Sequence, residues 1–136
     1  MDVKTKLLVM LTMVAMGNCQ AVAVPDISPH ELCKYGVATN YGRPIEIMTV
    51  QLLGRSITRV QYIREQDGKR FSFQCKLLNG YRMALLDETL NGPRWYGENL
   101  ADSQLTYRVT DTAIIIRIIG NGVMLRENFY SLPNQE

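Results

Sequence analysis

Histidine is all but missing from this 136-residue chain, with His30 standing alone, and tryptophan is present once, as Trp95. A single histidine in the first turn of an expected helix, with no Gly-x-Ser-x-Gly elbow to partner it, argues against hydrolysis or nuclease chemistry by nucleophile and base. His/Cys spacings of the zinc type and the acidic calcium-loop pattern are also missing, so no metal or other cofactor is expected. There are no low-complexity tracts, internal repeats or blocks of like charge, and no Asn-x-Ser/Thr sequon. The missing sequon fits a bacterial envelope or secreted protein better than a eukaryotic secreted one.

A long apolar run is missing too. The stretch from Leu7 to Met16 is about half of what a membrane-spanning helix needs, so a retained membrane anchor is not expected. Its flanks instead have the profile of a signal peptide. Lys4 and Lys6 precede it, and Ala21-Val22-Ala23 supplies the small residues that signal peptidase requires. Cleavage after Ala23 or Ala21 is expected, which divides the chain into a signal peptide over 1–23 and one domain over 24–136. Lipidation of Cys19 is disfavoured, because Asn18 stands where a small residue is needed.

Removing that segment takes Cys19 with it and leaves two of the three cysteines, Cys33 and Cys75, in a chain bound for an oxidising compartment. They are expected to form one disulfide. Closing a loop of about 40 residues constrains the unfolded chain by roughly 4 kcal/mol, a useful amount for a domain of about 113 residues.

From the apolar and polar spacing, the domain is expected to be mainly β. Ser28-Pro29-His30-Glu31 opens a short helix, with Ser28 as cap, Pro29 in the first helical position and Glu31 reaching back as the capping-box partner. Gly36 is expected to end it. Strands follow from Ile45 onward. Asp67-Gly68 predicts a two-residue hairpin loop between Ser56–Gln66 and Lys69–Leu78, with Tyr62 opposite Phe73 and Val60 opposite Cys75. A three-residue loop of Leu78, Asn79 and Gly80 leads into Tyr81–Leu86 and places Tyr81, Met83 and Leu85 opposite Leu77, Cys75 and Phe73. Further strands are expected at Arg94–Tyr96, Gln104–Val109, Thr112–Ile119 and Val123–Phe129. The third of these, rich in isoleucine, reads as covered on both faces, with Arg117 as a guard against aggregation. About seven strands with tight turns describe a small antiparallel meander, as a barrel, a curved sheet under the helix, or a sandwich.

Arginine outnumbers lysine two to one. Basic residues crowd the first hairpin and acidic ones crowd Asp87–Asp111. Near-zero net charge on the mature chain gives no reason to expect nucleic-acid binding. On the hairpin's polar face Arg59, Arg70, Lys76 and Arg82 should cluster, and arginine forks suit carboxylates on an acidic protein partner. Arg94, Trp95 and Tyr96 join them as residue types common in interface anchors. The expected function is therefore that of an exported, non-enzymatic binding module, of the inhibitor, immunity or envelope-complex type, in the periplasm or outside a bacterial cell. Two other readings compete with it. One is a barrel carrying a small apolar ligand between Tyr62, Phe71, Phe73 and Trp95. The other is a small glycan-active hydrolase using a carboxylate pair among Asp87, Glu88, Glu98 and Asp102.

Overall fold

Period-two alternation broken by glycine-containing turns builds a single antiparallel sheet. The computed structural model describes residues 26–132, so the expected signal segment and Cys19 lie outside the described residues. The strands are β1 (Thr49–Leu52), β2 (Thr58–Ile63), β3 (Arg70–Leu78), β4 (Arg82–Asp87), β5 (Trp95–Tyr96), β6 (Gln104–Val109), β7 (Ala113–Gly120) and β8 (Val123–Ser131). Their order is β1-β2-β3-β4-β6-β7-β8, with β5 pairing only with β4. β1 and β8 stay apart as edges, so the sheet does not close into a barrel.

One helix, α1 (Pro29–Tyr41), lies against the sheet. It packs against β1, β2, β3, β4, β6, β7 and β8, both edges included, so the sheet curves around it. The Ser28 hydroxyl accepts the Glu31 N–H at 3.2 Å, as expected of the cap. The Glu31 carboxylate is engaged by Lys34 at 3.1 Å.

Gly36 does not end the helix. It is buried in the middle, where a Cβ would stand 2.2 Å from Met83 Sδ, so the glycine is there for close approach to β4. The end comes at Gly42, whose φ of 63° is the left-handed conformation that favours glycine. Gly42 and Arg43 N–H groups return to the Thr39 and Ala38 carbonyls. Arg126 from β8 donates to the Thr39 carbonyl at 2.6 Å, a cation where the helix dipole favours one.

The expected disulfide is present. Cys33 in α1 and Cys75 in β3 are joined across a sequence separation of 42, tying helix to sheet in the most buried part of the core. Around the bond pack Val37, Val60, Phe73, Met83, Ile114 and Ile116, all with no exposed surface.

Both hairpins differ from expectation by an even slip. Thr58 opposes Cys75, Val60 opposes Phe73 and Tyr62 opposes Phe71. The loop is the four residues Glu65–Gly68, closed by Arg64 N–H to Lys69 O and Gly68 N–H to Arg64 O, both 2.8 Å. Asp67 fixes this longer turn by accepting from the Arg64 guanidinium and the Lys69 N–H. In the next hairpin Leu77 opposes Met83 and Cys75 opposes Leu85, so the loop is Asn79-Gly80-Tyr81, with Tyr81 at φ 57°. Tyr81 is thereby an exposed turn residue lying edge-on to Tyr107. A slip of two residues keeps every side chain on its expected face.

Two stability measurements follow. Gly36→Ala should cost about 1–3 kcal/mol in urea unfolding, since Met83 must move or strain. Replacing both Cys33 and Cys75 by alanine should cost about 4 kcal/mol, and a loss below about 1 kcal/mol would show that the helix needs no tether.

Candidate functional site

Among the described residues no second helix packs on the face of the sheet away from α1, which carries Arg59 and Gln61 of β2, Ser72, Gln74 and Lys76 of β3 and Arg82 of β4, with Ala84 and Ile115 buried beneath their neighbours. Arg59 in β2 meets Glu88, just past β4, through two bonds of 2.8 Å each. Gln74 donates to the same carboxylate at 2.8 Å, and so does the Ser72 hydroxyl, itself receiving a bond from Gln61. Four donors on one carboxylate, with the Arg59 guanidinium foremost, hold Glu88 at a pKa of about 2 against an ordinary 4.5.

The same pattern continues along the face. Lys76 reaches Glu98 at 2.6 Å and lies 4.3 Å from the centre of the Trp95 ring. Arg82 donates to the Gly97 carbonyl at 2.9 Å and to Gln104 at 2.6 Å. Arg94 grips Asp102 with two bonds, at 3.1 and 2.9 Å, while its guanidinium lies 3.7 Å from the Tyr96 ring centre. Asp102 also accepts the Gly97 N–H, and its carboxyl is held below the usual range chiefly by Arg94. Gly97 itself, at φ 102° with the Met83 carbonyl 2.9 Å from where a Cβ would stand, leaves no room for another residue.

Of the residues singled out in the sequence, Arg59, Lys76, Arg82 and Trp95 therefore share one surface. Arg70 stands on the same face near the hairpin end, opposite Ile63, exposed and without an ion pair among the described residues. Arg94 and Tyr96 sit at the rim, because Trp95 opposes Leu86 while Tyr96 opposes Leu85 of the inner face. The lone tryptophan is thus outside the core cluster and under a lysine. Glu88, Glu98 and Asp102 were expected only as candidate acids, but the structure makes them the partners of the basic residues. The basic excess in the first hairpin and the acidic excess over Asp87–Asp111 were the available sign of this pairing.

This arrangement has chemical consequences. The four carboxylates proposed for glycoside chemistry are each held by a different group: Asp87 by Thr89, Glu88 by Arg59, Glu98 by Lys76 and Asp102 by Arg94. A general acid needs a raised pKa, whereas Glu88 and Asp102 are shifted the other way. Tyr62, Phe71 and Phe73, offered as the lining of a ligand cavity, stack on one another, and Tyr41 of α1 fills the space against Phe73 at 4.4 Å. Trp95 is on the opposite face from them. A cleft of about 310 Å³ does open where β4 leaves β6 for β5, lined in part by Tyr41, Tyr96, Asp102, Ser103, Met83 and Leu85. Burial pushes the Tyr41 hydroxyl up to a pKa of about 12, so it stays protonated. His30 is elsewhere, with Nδ1 3.3 Å from the Thr58 hydroxyl. Among the described residues, no group of three or more His, Cys, Asp or Glu could hold a metal ion.

Because folding lowers the Glu88 pKa, its stabilising effect is present above its ordinary value of 4.5 and is lost as pH falls toward about 2. Glu88→Gln should be less stable than the parent at neutral pH by up to about 1 kcal/mol, with the difference vanishing in acid. Urea midpoints of both proteins measured across that range check this, and a pH-independent difference would contradict it. No family model, curated protein or solved structure matches the chain.

Proposed function

We propose that this chain is an exported, non-enzymatic binding module, of bacterial envelope or secreted location, that occludes or scaffolds a protein partner through the open face of its sheet. One observation supports this reading above the others. The face and its rim present arginine, tryptophan and tyrosine, the side chains commonest among interface hot spots, with Arg59 and Arg94 held by carboxylates and the Trp95 and Tyr96 rings under Lys76 and Arg94, each itself held by a carboxylate.

Side chains that are ordered before binding lose little further freedom on association, which favours affinity. The same pairing cancels most of the face's charge. The partner is recognised by shape and hydrogen bonding at Arg59, Lys76, Arg82, Arg94, Trp95 and Tyr96, while an acidic group on it would meet Arg70, which has no ion-pair partner among the described residues. The disulfide, together with the absence of any membrane-spanning helix among the described residues, agrees with an exported protein.

Tagged protein offered to envelope extract, in detergent and at low salt, should retain one saturable partner. Trp95→Ala combined with Arg70→Glu should abolish that retention while leaving the unfolding midpoint near that of the parent. No saturable partner, or equal retention by the double variant, would sink the proposal. Association should also slow by less than about threefold between low and physiological salt, since the paired charges steer weakly.

A further inference from the structure

The sheet is split in its middle. β4 pairs with β6 only at Arg82 and Met83, and at Leu85 and Leu86 its partner is the two-residue β5. Where the strands part, the cleft of about 310 Å³ reaches Met83, Leu85 and Leu105 of the core, on the helix side of the sheet. That volume is near the lower end for small-molecule sites, about 300–1,000 Å³, so it admits one ring rather than an extended oligomer. Gly97 lets the β5 loop lie against β4 at one wall, since a Cβ there would stand 2.9 Å from the Met83 carbonyl.

The lining divides into an apolar floor, formed by those three side chains, and a polar mouth that carries Asn40, Tyr41, Tyr96, Asp102 and Ser103. The Tyr41 hydroxyl lies near enough to the Asn40 amide and the Tyr96 hydroxyl for each to act on its ionisation, so these groups converge. Among the described residues, Asp102 is the only carboxylate in the lining, and Arg94 and the Gly97 N–H already hold it. The cleft therefore offers no uncompensated charge. A cationic ligand would have to displace Arg94, and an anionic one would meet Asp102, so the ligand is neutral. Tyr96 adds a flat wall: the Arg94 guanidinium backs it at 3.7 Å from the ring centre, and the residue is 46 % exposed.

We propose that this cleft binds one neutral pyranose ring of a glycan, stacked on Tyr96, with its hydroxyl edge on Asn40, Tyr41, Asp102 and Ser103. This goes beyond the protein-binding role of the open face and shares with it only Tyr96 and the Arg94 behind that ring. A pyranose has C–H groups on its faces and, around its edge, hydroxyls that both donate and accept. An apolar floor under a rim of mixed donors and acceptors satisfies both parts at once. Of about four acceptor positions on Asp102, Arg94 and Gly97 take three, which leaves one for a sugar hydroxyl. A planar base brings two apolar faces and fewer edge groups, so it would leave rim groups unpaired, which disfavours it. The outcome is binding rather than cleavage, because glycoside hydrolysis takes two carboxylates and the cleft has one.

Methyl pyranosides of glucose, galactose, mannose and N-acetylglucosamine, titrated into the disulfide-intact protein and followed by amide chemical shifts, test this. At least one should saturate with a Kd of about 1 mM, the strength expected of so small a ligand, and its shifts should gather at Asn40, Gly97 and Ser103. Tyr41→Phe and Ser103→Ala, each removing one hydroxyl, should weaken that binding by about threefold to tenfold, and Tyr96→Ala should abolish it. Unfolding midpoints near that of the parent show that the variants remain folded. Adenosine and uridine at the same concentrations should leave these amides unmoved. Trp95→Ala combined with Arg70→Glu should bind the sugar as the parent does while losing the protein partner, so the two proposals fail separately. No saturating pyranoside, shifts centred away from the cleft, binding unchanged in both hydroxyl variants, or a nucleoside bound more tightly than any pyranoside would each overturn the proposal.

Discussion

The contact between α1 and the concave face of the sheet is the constraint on which the rest of this structure depends. Thirteen residues that include Gly36, Val37, Thr39 and Asn40 make a poor helix by intrinsic preference, and a helix this short is marginal in water. The sheet holds it. Leu32, Cys33, Tyr35, Gly36, Val37, Ala38 and Thr39 are all buried, because strands curve past the helix on several sides at once. The buried Thr39 shows how complete the enclosure is. Its hydroxyl is 2.8 Å from the Tyr130 hydroxyl and accepts from Asn128, while its carbonyl accepts from Arg126, so three residues of β8 fix the helix end. The disulfide fixes the other half, against β3.

That enclosure explains which features the sequence made legible. The strand faces could be read because burial on one side imposes alternation, and the cap at Ser28 and the Cys33–Cys75 bond followed from local chemistry and counting. The helix length could not. A helix buried nearly all round lacks the one-sided stripe that marks an amphipathic helix, and a glycine inside it looks like a stop until Met83 is seen against it. The hairpin registers failed for a different reason. Slips of two residues leave the hydrophobic pattern unchanged, so only turn chemistry decides between them, here the Arg64–Asp67 clasp and the left-handed Tyr81.

The candidate site was half legible for a related reason. Arg59, Lys76 and Arg82 were placed on one face correctly, since face depends on parity alone. What neutralises Arg59 and Lys76 comes from the loops around β5, and loop residues obey no period. Glu88, Glu98 and Asp102 reach their cations across sequence separations of 29, 22 and 8 residues, and the two-residue β5 that positions them is too short to announce itself. The resulting surface differs in kind from the cationic patch that the sequence implied. Charges closed upon one another attract little at a distance, but they hold long side chains still.

The uneven edges follow from the same arrangement. Arg126, the one cation in β8, would be the natural guard against edge pairing, yet its guanidinium is turned inward to the carbonyls of Thr39 and Asn40, and Glu127 is turned to Arg117. Both charges of the strand are therefore engaged within the subunit, leaving apolar side chains and free backbone to face solvent. A protein that fastens its helix with the charges of its own edge strand gives up the usual protection of that edge. Burial of the helix end and exposure of the strand edge are thus one structural choice, made by the residues of β8.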